Sequence, residues 1–247
     1  PIYHALSRPD LAEGEAAGRA IKLAKIANAP LCIVHNSCEA SVSEIARARA
    51  EGYPIIGETC PQYLLLSEDN YREPDFNGAK YVMSPPLRDK KNWPTMWKAL
   101  KDNTVQFVAT DHCPFFMKQK EMGKEFFAQI PNGAPGVELR MSLMYTYGVT
   151  EGKFDLNRFV QVTSTNAAKV YGMYPQKGTI AVGSDADIVV FDPNVEIIAT
   201  KSMLHENVDY TPYEGFKLKG APVVTISRGS IVAKDGQFVG KEGAGKF

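Results

Sequence analysis

At 247 residues, 44% hydrophobic and 23% charged, the chain has enough material for one large domain or two smaller ones around a buried core. Its 28 basic and 28 acidic residues cancel, which removes any electrostatic reason to expect nucleic acid or an anionic membrane as partner. No apolar run approaches the roughly 20 residues that span a bilayer, and the first residues do not read as a signal peptide. The four cysteines, Cys32, Cys38, Cys60 and Cys113, lack C-x-x-C spacing and read as free thiols in a reducing compartment, so the expected location is the cytoplasm.

The start, Pro1-Ile2-Tyr3-His4, has no initiator Met and enters a helix at once, so a fragment of a longer chain is expected. Asp10-Leu11-Ala12-Glu13 reads as a capping box with Asp10 as N-cap, opening an Ala-rich helix to about Ala27. Its small residues suit close packing on a sheet. Asn28-Ala29-Pro30 breaks it. Leu31-Cys32-Ile33-Val34 is a short, fully apolar run, a buried parallel strand that ends on His35-Asn36-Ser37. Glu39 to about Ala50 returns to helical periodicity, and Pro54 to Glu58 is the next strand. This alternation predicts a parallel α/β architecture.

Cys60 to Met83 reads as loop, and Trp93 to about Leu100 as a short helix. Thr104 to Thr110 is a third buried strand, stopped by Asp111-His112-Cys113-Pro114, since proline cannot continue a central strand. Residues 114–136 form a long connection of the kind that is usually functional. Two more helices are predicted, Gly136 to about Gly148 and Leu156 to Tyr171, the second capped by Asp155. From Lys177 the texture turns to strand: a hairpin over Thr179 to Pro193, another of Val223 to Ser227 with Ser230 to Ala233 across Arg228-Gly229, and a turn at Asp235-Gly236. A boundary is therefore expected near residue 175, with 1–175 as α/β domain and 176–247 as a small β module.

His35 and Asp111 share one property: each closes a buried parallel strand at its carboxyl end, where α/β barrels build their sites. Imidazole and carboxylate are zinc ligands. Taken singly, Asp111 also reads as a capping acid in a strand-to-loop turn, and His35 as a histidine bonded to a neighbouring loop.

The wording of the motifs goes further. Val34-His35-Asn36-Ser37-Cys38, Gly57-Glu58-Thr59-Cys60-Pro61-Gln62-Tyr63-Leu64, Ser84-Pro85-Pro86-Leu87-Arg88 and Thr110-Asp111-His112-Cys113-Pro114-Phe115 resemble the hydantoinase/dihydropyrimidinase family. So do Ile130-Pro131-Asn132-Gly133 and Gly178 to Asp187, in the same order along nearly the whole chain.

The resemblance implies the carboxyl-terminal part of a (β/α)₈ TIM-type barrel followed by part of a β-sandwich. It implies a metal-dependent hydrolase that opens 5,6-dihydropyrimidines or 5-substituted hydantoins to N-carbamoyl amino acids, in pyrimidine catabolism, as a homotetramer. His35 matches a ligand of the second, more exposed metal. Asp111 matches the acid that touches the first metal and shuttles the proton. Ser84 and Asn132 match positions that hold the substrate's amide and imide groups, largely through main-chain atoms. The implied cofactor is a pair of divalent ions, Zn, with Mn or Co sharing the same donors, bridged by a carboxylated lysine. Such a pair makes hydroxide available at neutral pH and polarises the scissile carbonyl. His112, Cys113 and Glu58 are expected to support the site or the packing.

The family's H-x-H pair, its carboxylated lysine and a further histidine ligand have no counterpart here; the four histidines are His4, His35, His112 and His205. The chain by itself is therefore expected not to hold both metals. Two other readings remain: a catalytically silent dihydropyrimidinase-like scaffold, against which retention of His35 and Asp111 argues, and an allantoinase-like ureide hydrolase.

Overall fold

The computed structural model describes residues 1–245, with α/β content. By packing, the chain forms two compact units, Pro1–Arg140 with Ala199–Phe216, and Met141–Ile198 with the residues from Lys217 onward. The units cut the chain elsewhere than the change of texture near 175: helical residues 141–170 cluster with the strands that follow them.

In the first unit, helix α1 (Tyr3–Leu6) leads into α2 (Asp10–Ala27), strand β1 (Leu31–Ile33), α3 (Glu39–Ala50) and β2 (Ile55–Thr59). Next come α4 (Gln62–Leu65), α5 (Trp93–Lys101), β3 (Phe107–Val108) and α6 (Met117–Lys120). The three strands form one parallel sheet in the order β1-β2-β3, with Ile33 opposite Gly57 and Thr59 opposite Val108. Gly14, Ala17 and Gly18 of α2 are buried, and a Cβ on Gly14 would lie 2.8 Å from the Cβ of Ala40, so the small residues are what let α2 and α3 touch. Below them Ile21, Ile45, Ala48 and Ile55 form a cluster with Leu31 and Ile33 against it. Each such fully buried aliphatic side chain contributes roughly 1.5–3 kcal/mol. α2 stops where Asn28 turns left-handed, at φ 51°, and Pro30 follows.

Two expectations need correction here. Pro9, not Asp10, occupies the N-cap position of α2, and there is no capping box. The carboxylates have better partners far along the chain: Asp10 accepts from Asn92 Nδ2 at 2.9 Å, and Glu13 accepts from the Ser37 N–H at 2.8 Å and the buried Arg88 guanidinium at 2.7 Å. The third strand is also shorter than its composition suggests. On either side of β3 the pairing with β2 continues as single bonds, Gln106 N–H to Gly57 O and Ala109 N–H to Thr59 O, both at 2.9 Å. The Gln106 side chain meanwhile accepts from the Gly57 N–H at 2.7 Å.

In the second unit α7 (Arg140–Met144, its first residue belonging to the first unit) continues as a π-helical turn to Thr150. α8 (Leu156–Val160) and α9 (Asn166–Val170) are one helical run joined by a second π turn, Gln161–Thr165. Asp155 caps this run as its sequence predicts, accepting from the Arg158 N–H at 2.7 Å. Removing that cap in Asp155→Ala should cost about 1 kcal/mol, read as a shifted denaturant midpoint with unchanged slope; an unshifted midpoint would show the bond to be idle.

A four-stranded antiparallel sheet follows, β4 (Ile188–Ile198), β5 (Lys217–Ser227), β6 (Ser230–Lys234) and β7 (Gln237–Phe238). The hairpin at Arg228-Gly229 and the turn at Asp235-Gly236 form as predicted, with positive φ at all four residues (47°, 81°, 50° and 75°), the geometry that matches strand twist. The hairpin expected over 179–193 does not form. Residues 179–187 are irregular, tied down by Lys177 to Asp185 at 2.8 Å and by Asp187, which accepts from the Arg228 N–H at 2.7 Å. β4 instead runs on through Pro193 by bulging between Asp192 and Glu196, so the proline needs no ladder partner.

Candidate active site

Parallel pairing puts the carboxyl ends of β1, β2 and β3 on one edge of the sheet. That edge carries His35 just past β1, Glu58 near the end of β2 and Asp111 just past β3. His35 and Asp111 both adopt left-handed backbone, φ 44° and 50°, where each strand turns away. Such conformations cost energy in a non-glycine residue and persist where the surroundings fix them.

The fixing groups are specific. Buried Asn36 donates from its side-chain Nδ2 to Ile33 O at 2.8 Å and Glu58 O at 2.9 Å, and its main-chain carbonyl accepts from Thr59 Oγ1 at 2.7 Å. The end of β1 is thereby pinned to β2. On β3, Gln62 donates to Thr110 O at 3.1 Å and Arg140 to Val108 O at 2.8 Å. Glu58 accepts from the His35 N–H at 3.1 Å. Burial pushes the Glu58 carboxyl above its ordinary pKa; the His35 N–H and imidazole pull it down, and the charge of Asp111 adds to the rise. The three strand ends therefore act on one another electrostatically.

The two other sequence-predicted positions meet each other. Ser84 Oγ donates to Asn132 Oδ1 at 3.2 Å, although 48 residues separate them, and both side chains are exposed. Ser84 and His35 line one groove of about 400 Å³ with Arg8, Glu13, Pro85 and Arg88. Asp111 and Asn132 lie outside its walls. Gly133, at φ 143°, lets the Asn132 turn lie against the exit of β3: a Cβ there would be 2.2 Å from Cys113 O.

His112 accepts at Nδ1 from the Gly136 and Val137 N–H groups at 3.2 and 3.3 Å, with Glu206 3.8 Å off. The helix expected from Gly136 begins only at Arg140, after a turn over residues 137–139. All four cysteines are free thiols.

Three supporting residues were not singled out as site residues in the sequence. Arg88 is buried under the groove, donating to Glu13 at 2.7 Å, to Ser37 Oγ at 2.9 Å and to the Arg8 carbonyl. His4, 1% exposed, donates through Nε2 to Met83 O at 2.8 Å and accepts at Nδ1 from Arg8 at 3.2 Å. Lys120, in the connection expected to be structureless, is wholly buried and donates to three main-chain carbonyls. Burial lowers its pKa to about 7, the nearby Cys113 opposing the shift.

His35 and Asp111 are donors of the right chemistry for a divalent ion. Two do not make a centre, and among the described residues no group of three or more His, Cys, Asp or Glu could hold a metal. The donors present do not by themselves fit a metal pair. Among the described residues, no helix is long and apolar enough to cross a membrane.

Parallel strands that present a histidine and an aspartate at their carboxyl ends agree with the chain's likeness to known proteins. Residues 9–232 match the model of the amidohydrolase family, and the chain belongs to that family. It is 50% identical over its whole length to a D-hydantoinase of Geobacillus stearothermophilus, covering 53% of that protein. It is 49% identical to a D-hydantoinase of Rhizobium radiobacter, covering 54%. Among solved structures, a dihydropyrimidinase from Brevibacillus agri NCHU1002 superposes with a TM-score of 0.97 at 53% identity, over 99% of this chain and 53% of that one. The chain thus spans about half the length of the relatives it matches.

Proposed function

We propose that the chain contributes two metal donors, His35 and the strand-end acid Asp111, and the substrate-holding turns of a cyclic amidohydrolase. The reaction is hydrolytic ring opening of 5,6-dihydropyrimidines or 5-substituted hydantoins to N-carbamoyl amino acids. The observation that carries this is the shared edge: His35, Glu58 and Asp111 at the ends of three adjacent parallel strands, with the Ser84–Asn132 pair beside them. In this reading the three strands belong to a (β/α)₈ barrel and the antiparallel sheet to a β-sandwich. The protein works as a cytoplasmic homotetramer with two divalent ions, Zn or else Mn or Co.

The chemistry assigned to this chain's own residues is limited and definite. Water adds through oxygen to the ring carbonyl carbon, the ring C–N bond breaks, and the departing nitrogen gains a proton. Asp111, exposed at the strand end, takes the proton from the water and delivers it to that nitrogen. Ser84 and Asn132 orient the imide, helped by main-chain groups of the same turns. His35 supplies a metal donor, its backbone held by Glu58.

The test is incubation of the metal-loaded whole protein with dihydrouracil and with a 5-substituted hydantoin. One or both should be converted to the N-carbamoyl acid with uptake of one water. Metal-loaded protein that leaves both rings intact would overturn the proposal and favour a silent scaffold.

A further inference from the structure

The turn carrying Ser84 and the turn carrying Asn132 come from distant parts of the chain, and one buried side chain joins them. Lys120 Nζ donates to Val82 O at 2.8 Å, and to Pro131 O and Gly133 O at 2.6 Å each. The first carbonyl lies two residues before Ser84, and the other two flank Asn132 on either side. A direct bond, Gly133 N–H to Val82 O at 3.0 Å, closes the same junction.

We infer that Lys120 is a positioning residue, which locks these two turns at one spacing so that Ser84 and Asn132 engage the same cyclic amide. The inference rests on the substrate-holding role proposed above for Ser84 and Asn132.

Its chemistry is unusual for a structural lysine. A buried lysine is ordinarily paired with an acid. Among the described residues no carboxylate pairs with Lys120, and three carbonyl dipoles use its three N–H groups. A lysine serving the core alone could take any three acceptors. All of these come from the two turns that carry the substrate positions. α6 is anchored to match: the Lys120 N–H bonds Phe116 O at 3.1 Å, and the Phe115 ring lies 5.5 Å from Nζ. The next turn is tied in as well, because a Cβ on Gly123 would sit 2.2 Å from Ile130 Cγ1, so the chain there fits closely under the Pro131–Gly133 segment.

Lys120→Met keeps the length and removes all three donors. In the metal-loaded whole protein it should raise KM for the ring about tenfold while kcat stays within about threefold, because it removes orientation shared by bound substrate and transition state. Amide exchange should speed up at Gly133, whose N–H holds Val82 O, while β1 and β2 keep wild-type protection. Unchanged KM, or unchanged exchange at Gly133, would overturn the inference, as would a fall in kcat alone. Failure of the unsubstituted protein to open either ring would remove the substrate role itself, a result distinct from a variant that matches an active parent. If Lys120→Met does not fold, the unsubstituted protein still decides. At a pH well below 7, where the amine is charged, its Lys120 ammonium protons should be resolved and slow to exchange by NMR, and an ammonium averaged with solvent there would rule out the clamp.

Discussion

Asp111→Asn should lower ring-opening turnover by roughly 10² or more, the usual scale for losing a general base. The substitution is close to neutral for the fold. Asp111 sits at φ 50°, and asparagine tolerates left-handed backbone as well as aspartate does. Its side chain is exposed, so no buried partner is stranded. Unfolding should therefore be unchanged while the proton acceptor is gone. Activity within a few-fold of the parent would refute the assignment of Asp111 as shuttle.

The second large effect concerns acid and His4. Burial holds its imidazole pKa down at about 4 against an ordinary 6.5; the hydrogen bond to Met83 O opposes this, and the positive charges of Arg8 and Lys120 add to it. The folded form therefore keeps His4 neutral where the unfolded chain has already bound a proton. Stability from this group is fully present above pH 6.5, is lost as pH falls from 6.5 toward about 4, and then levels off. The loss amounts to about 3 kcal/mol over that window. Denaturant unfolding at several pH values should show the slope in the parent and a flatter profile in His4→Gln. Parallel profiles would mean that His4 is not held neutral.

What the sequence disclosed and what it hid follow one physical division. α3, Glu39–Ala50, was legible because helical period and a following Gly52 are local signals. The Asp155 cap and the two glycine turns of the β sheet were legible for the same reason. His35 and Asp111 stood out because each interrupts a short apolar run, and a strand end needs no tertiary knowledge to be seen. The failures share the opposite cause. Asp10 and Glu13 spell a capping box, yet Asn92 and Arg88 claim them from some 80 residues away. Thr179-Ile180-Ala181-Val182 has strand composition, but ion pairing at Lys177 and the Arg228 turn hold the segment as loop. Lys120 sits in the charged run Met117-Lys118-Gln119-Lys120-Glu121 of the long connection 114–136, where no local signal marks a buried cation. Only the folded positions of Val82, Pro131 and Gly133 reveal that it is buried.

The most direct test is to locate the metals by anomalous diffraction in crystals of the whole protein loaded with Zn or Mn. A metal should lie within bonding distance of a His35 ring nitrogen and another within reach of the Asp111 carboxylate, roughly 2.0–2.2 Å for zinc. Remaining donors should come from outside residues 1–245, and the ions should sit at the carboxyl edge of β1, β2 and β3. Metals bound elsewhere, with His35 and Asp111 unliganded, would contradict the assignment of this edge as the hydrolytic site.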